Sequence, residues 1–206
     1  MKSSGRKKLL FTAIILISAF ILSHVYDITK YPVLPYAVIS LIRAVFIYVA
    51  VFACLLVVTK EYRSKVNVLK AFGAVALFAV ANLCLDKLSG FSLTAALIYQ
   101  IIRPVAAAAC ILLAAKLITS TKPRFSAKIA IAGGVAFLLH VAVTVWGYIS
   151  LSGTTDILVL IFFGAVYSFI INIFTYVIVF IAFCAVTSQI SGEKAVTGGQ
   201  SDAENV

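Results

Sequence analysis

Six stretches of this chain, near residues 9–26, 34–59, 67–86, 93–119, 129–149 and 157–187, are long, apolar and almost free of charge. A bilayer core about 30 Å thick needs roughly 20 such residues per helix, and in hydrocarbon a chain satisfies its own backbone polar groups by forming helices. The 63% hydrophobic and 12% charged composition leaves too little polar surface to cover a water-soluble globule of 206 residues. The expected fold is therefore all-α: a polytopic integral membrane bundle of six transmembrane helices whose main partner is the lipid bilayer. The first stretch follows Arg6, Lys7 and Lys8 as a secretion signal would, but no small-residue cleavage site and hydrophilic mature chain follow it, so it is expected to be a retained helix.

The basic residues orient the bundle. Lys2, Arg6, Lys7 and Lys8 precede span 1, Lys60, Arg63, Lys65 and Lys70 surround the link between spans 2 and 3, and Lys116, Lys122, Arg124 and Lys128 surround the link between spans 4 and 5. The opposite side carries only Lys30 and Lys87. By the positive-inside rule both termini are expected in the cytoplasm, and the plasma (inner) membrane of a bacterium is the expected location. The formal charge of +10 is then a topology signal, spread too thinly for nucleic-acid binding.

Self-similarity suggests three units. Leu41-Ile42-Arg43 aligns with Ile101-Ile102-Arg103 and, more weakly, with Ile170-Ile171-Asn172. Thr59, Thr119 and Thr187 follow these landmarks by 16, 16 and 15 positions, and Asp27, Asp86 and Asp156 precede them by 16, 17 and 16. The expected organisation is three parallel two-helix hairpin repeats, residues 1–65, 66–128 and 129–194, within one membrane domain over 1–190. Residues 191–206, rich in Gly, Ser, Glu and Asp, are expected to form a disordered cytoplasmic tail. The second helix of each unit is expected to be long, about 26 to 31 residues and so more than the bilayer thickness, with Pro104 placed to kink span 4. Tyr31 to Tyr36, Gly90 and Gly153 supply the outer turns, Trp146, Tyr148 and Tyr26 an interfacial belt, and Gly73, Gly133 and Gly134 surfaces for close helix approach.

Arg43 and Arg103 demand an account. Each stands 16 residues from its inner-end threonine, about 24 Å along a helix and so within the outer part of the hydrocarbon. An arginine at that depth costs on the order of 1–3 kcal/mol unless it finds water or a partner. Three explanations stand at this point: snorkelling to the headgroups, pairing with Asp86 and Asp27 as a structural lock, or a binding site. In the last case Arg43, Arg103, Gln100, Asn82, Asp86 and Asn172 would line an outward-facing cationic site, where guanidinium suits a carboxylate or phosphate.

Other chemistry is poorly supplied. Protease, nucleotide-binding and metal-ligand motifs are absent from the sequence, and Cys54, Cys84, Cys110 and Cys184 all lie in apolar runs without a CxxC pair. His140 stands alone near the bilayer midplane, where a neutral imidazole bonded to a neighbouring helix is the simplest state. The expectation is thus a cofactor-free, non-enzymatic membrane transport or solute-binding protein for an anionic small molecule or lipid headgroup. The alternative is a non-transporting assembly, immunity or sensor protein that pairs with another membrane protein subunit and whose arginines are structural.

Overall fold

The computed structural model describes residues 3–30, 36–62, 64–89, 92–119, 126–153 and 157–201; side chains at 3, 26–30, 36, 37, 40, 61, 87–89, 93, 151, 157–162 and 191–201 are excluded from the description. These residues form α1 (Ser3–Lys30), α2 (Tyr36–Val58), α3 (Lys65–Ser89), α4 (Leu93–Thr119), α5 (Ala127–Ser152) and α6 (Ile157–Ser201), with a short 3₁₀ turn at Lys60–Tyr62. All six helices are long and apolar enough to cross a membrane. The protein is all-helical, with the make-up of an integral membrane protein.

Three helix starts are capped alike. Ser64, Ser92 and Ser126 each accept, through Oγ, a hydrogen bond from the backbone N–H three residues on (Asn67, Ala95 and Ile129, at 3.2, 3.1 and 3.3 Å). Such a cap satisfies one of the donors a helix leaves open at its first turn and contributes about 0.5–2 kcal/mol. At the far ends of α2 and α4, and within α6, the landmark threonines fold back: Thr59, Thr119 and Thr187 donate to the carbonyls of Leu55, Ala115 and Phe183 at 2.6, 2.9 and 2.8 Å.

Each odd-numbered helix packs most closely on the next in sequence, giving the pairs α1–α2, α3–α4 and α5–α6, while α2, α4 and α6 touch one another at the centre. Within this plan α6 is the hub. Half of its span is buried, against 11% of the α3 span, and it also packs along α1 and α4. Lys8 Nζ donates to Val58 O at 3.3 Å and Asn67 Nδ2 to Ile118 O at 3.4 Å, so the starts of α1 and α3 lie beside the ends of α2 and α4. This end of the bundle carries Arg6, Lys7, Lys60, Lys65, Lys70 and Lys116, all exposed.

The central seam has two unlike halves. Toward the basic end it is closed by Cys54, Leu55 and Val58 of α2, Ile111, Ala114 and Ile118 of α4, and Phe183 and Val186 of α6, none more than 1% exposed. Lipid tails are as apolar as these side chains, so what holds them together is close packing rather than exclusion of water. Toward the opposite end the seam becomes polar.

Several expectations are revised. The second helices, expected at about 26 to 31 residues, have 23 in α2, 27 in α4 and 45 in α6. The helix expected to give way to a tail at Ser191 continues to Ser201, since extending a helix already anchored by packing needs no new nucleus. Tyr31–Pro35, Gly90, Asp156 and the side chains of Tyr26 and Asp27 lie outside the described residues. Of the glycines expected at close approaches, a Cβ on Gly73 or Gly134 would meet open space and one on Gly133 only ordinary contact with Ile181. The close approach occurs instead at Gly147, where the Tyr167 ring lies in the place a Cβ would take and the Tyr167 hydroxyl donates to Thr144 O at 3.0 Å. Gly147→Val is expected to lower the thermal stability of the purified protein by about 1–3 kcal/mol or more, whereas Gly73→Val and Gly134→Val stay within about 0.5 kcal/mol of wild type; melting temperatures in one detergent compare the three.

Candidate functional site

The polar half of the seam is built around Arg103. A first cavity of about 30 Å³ lies between α2, α3 and α4, with Arg43, Tyr48, Asn82, Asp86, Tyr99 and Arg103 in its walls. A second, of about 40 Å³, lies deeper, where α6 and α1 join the same three helices; Asn172, Thr175 and Tyr176 contribute to its lining. Tyr48, Asn82 and Arg103 belong to both and form the partition between them. The arginines are therefore turned into the bundle and are half-buried there.

Hydrogen bonding sets the polarity of this space. The Tyr99 hydroxyl donates to Asn82 Oδ1 at 3.0 Å, with Asn82 O at 3.3 Å. Since the amide oxygen of Asn82 is taken, its NH₂ end is left to face the cavities. Arg103 makes no hydrogen bond or ion pair with any described residue, and neither does the 8% exposed Asn172. Arg43 and Asp86 do have partners. Among the described residues of the first cavity two guanidiniums stand with one carboxylate, and the remaining polar groups there are mainly donors.

Five of the six residues expected at a site are thus brought together: Arg43, Arg103, Asn82, Asp86 and Asn172. Gln100 is not among them. It lines neither cavity, and its backbone carbonyl serves another purpose. Pro104, buried inside α4, has no N–H to give to the carbonyl four residues earlier, which is that of Gln100. In water such a carbonyl would be solvated, but in hydrocarbon it needs a protein donor. His140 of α5 supplies it, with Nε2 2.8 Å from Gln100 O. Because a carbonyl only accepts, Nε2 carries the hydrogen, and Nδ1 is left buried without a partner. His140 is fully buried and its own carbonyl accepts from the Thr144 hydroxyl at 2.7 Å. This clip fixes α4 to α5 three residues before Arg103.

Tyr48 and Tyr99 are the members of the site that the sequence reading passed over. Tyr99 stands four residues before Arg103 and so on the same helical face, a spacing that marks it in retrospect. Tyr48 carries no such mark and is placed by its ring, which packs edge-on against Phe78 at 5.9 Å between centroids. Among the described residues no three His, Cys, Asp or Glu side chains are grouped to hold a metal ion. The chain matches no protein-family model, no curated protein and no solved structure.

The clip makes a quantitative expectation. His140→Phe keeps a ring of similar size but removes the donor, and is expected to destabilise by about 1–3 kcal/mol, the cost of a buried acceptor left unmet. In a Pro104→Ala background, where the new N–H reaches Gln100 O, the same change is expected to lose less than half as much. Thermal unfolding of the four proteins of this double-mutant cycle measures the coupling; equal losses in both backgrounds would refute the assignment.

Proposed function

We propose that the protein is a small membrane transport or solute-binding protein whose polar half-seam is a cationic site for an anion, reached from the outer side of the membrane. The carrying observation is Arg103: a half-buried guanidinium inside an apolar bundle, without an ion pair among the described residues, next to a second arginine and two amide side chains. An ionised group in such surroundings needs compensation worth several kcal/mol, and water in the cavities or a bound anion provides it. Direction of access follows from the two halves of the seam. The aliphatic plug around Leu55, Ile118 and Phe183 closes the end that bears the lysines and arginines, which the positive-inside rule assigns to the cytoplasm.

In the conformation seen, the cavities are small. Volumes of about 30 and 40 Å³ hold roughly two or three waters each, or a small monovalent anion, so a larger ligand requires α2, α3 and α4 to part. The conformation is then an occluded one. The pairing of odd with even helices and the recurrence of Arg43 and Arg103 at one cavity and Asn172 at the adjoining one support a repeat of three parallel hairpins, with both termini on the cytoplasmic side. In the second reading the arginines hold the bundle together and the protein serves another membrane protein as a non-transporting partner; the small cavity volume favours it.

Ligand-induced stabilisation separates the two. In the first reading the melting temperature of the purified protein rises with at least one of chloride, phosphate or a short carboxylate, and the rise falls at least tenfold in apparent affinity in Arg103→Gln and Arg43→Gln. Indifference of the wild type to every anion, together with a stable heteromeric partner in mild detergent, supports the second. For orientation, single cysteines placed at Ser4 and at Ser126 of a protein cleared of its native cysteines are expected to resist impermeant thiol reagents in intact cells and to react once the membrane is opened. Labelling of both in intact cells would invert the bundle.

A further inference from the structure

Between α1 and α6 runs an apolar groove of about 340 Å³, lined by Ile17, Phe20, Ile173, Tyr176, Val177 and Phe180 among others. It lies open to the lipid side: Ile17, Ile173 and Val177 are 58%, 39% and 40% exposed. Two of its lining residues, Leu16 and Tyr176, also line the inner cavity that holds Arg103 and Asn172. They form the partition between the bilayer and the cationic site. The Tyr176 hydroxyl is buried beside the Ser23 hydroxyl, whose own proton goes to Phe20 O at 2.8 Å. A tyrosine hydroxyl in this partition is a donor that an arriving anionic group can engage.

The direction of the groove narrows the choice of occupant. From Ile173, next to Asn172, it follows α6 to Phe180, about 10 Å toward the plugged, basic end. A chain whose anionic head sat at Arg103 and Asn172 would thus descend from the outer part of the hydrocarbon toward the bilayer centre, as an acyl chain of the outer leaflet does.

We infer that the ligand is an anionic, acyl-chain-bearing lipid of the outer leaflet, which enters sideways between α1 and α6 with its chain in the groove and its head reaching past Tyr176 to Arg103. This rests on the cationic-site reading above and adds to it the ligand class and the route. A lateral route also removes the need to draw an anion through an aqueous mouth, since the hydrophobic chain never leaves the bilayer.

The test compares three probes on purified protein in a non-ionic detergent by thermal unfolding: phosphatidylglycerol, its deacylated headgroup glycerophosphoglycerol, and phosphatidylcholine. Phosphatidylglycerol is expected to stabilise, the deacylated head to bind more than tenfold more weakly, and phosphatidylcholine to have no effect. Val177→Trp on α6 and, independently, Ile17→Trp on α1 fill the groove; each is expected to abolish the advantage of the chain while preserving the weak response to the deacylated head. Arg103→Gln abolishes both. Equal binding of lipid and deacylated head, or undiminished lipid binding in both tryptophan variants, overturns the groove while leaving the cationic site intact. Equal stabilisation by phosphatidylcholine also overturns it, marking the groove as an ordinary lipid-facing surface. If neither anionic probe acts on the wild type, the lipid assignment fails; the cationic-site reading falls with it only when chloride, phosphate and a short carboxylate are also without effect.

Discussion

A polar group inside a bilayer has no water to turn to, and nearly every specific feature of this bundle is a way of meeting that condition. It makes the chain helical in the first place. It also explains the local devices: threonine hydroxyls that bond back one turn in α2, α4 and α6, Tyr99 on the side-chain oxygen of Asn82, and His140 on the carbonyl that Pro104 abandons. In a water-soluble protein a helix with an interior proline leaves its orphaned carbonyl to solvent or bends away. Here the break becomes a contact, and α5 is held to α4 by it.

The same condition gives Arg103 its importance. Other described polar side chains of the seam have a protein partner, face one of the two cavities or, like Thr12 Oγ1, are buried uncharged without one, whereas a guanidinium brings a full charge that the cavity must balance. The clip takes in Gln100, three residues before it, and Pro104, directly after it, so the position of Arg103 is set by the most tightly specified stretch of α4. The plug of Leu55, Ile118 and Phe183 then separates this charge from the basic end of the bundle. A polar chamber above an apolar seal is an arrangement suited to one-sided access.

How much of this was legible beforehand varies with the kind of signal. The six helices and the grouping of the basic residues follow from run length and charge. Arg43, Arg103, Asn82, Asp86 and Asn172 stand out because ionised and amide groups are costly in hydrocarbon, and the structure gathers them. Gln100 was chosen on the same ground, yet its contribution is a backbone carbonyl. The expected glycine contacts failed for a related reason: Gly73 and Gly134 are small but face open space, whereas Gly147 matters because a particular ring, that of Tyr167, lies over it.

The sequence alone determined that this chain crosses a bilayer as helices, which end bears the positive charge, and which residues are too polar to be left to lipid. It could not determine which side of each helix faces inward. In water an amphipathic stripe announces the buried face, but a helix surrounded by lipid is apolar on every side, and outward-facing Leu77 and Leu138 look no different in sequence from Leu55 at the centre. Only tertiary packing, through steric fit and a few hydrogen bonds between helices, decided that α6 is the hub, that His140 answers Pro104, and that Arg43 and Arg103 turn toward the same enclosed space.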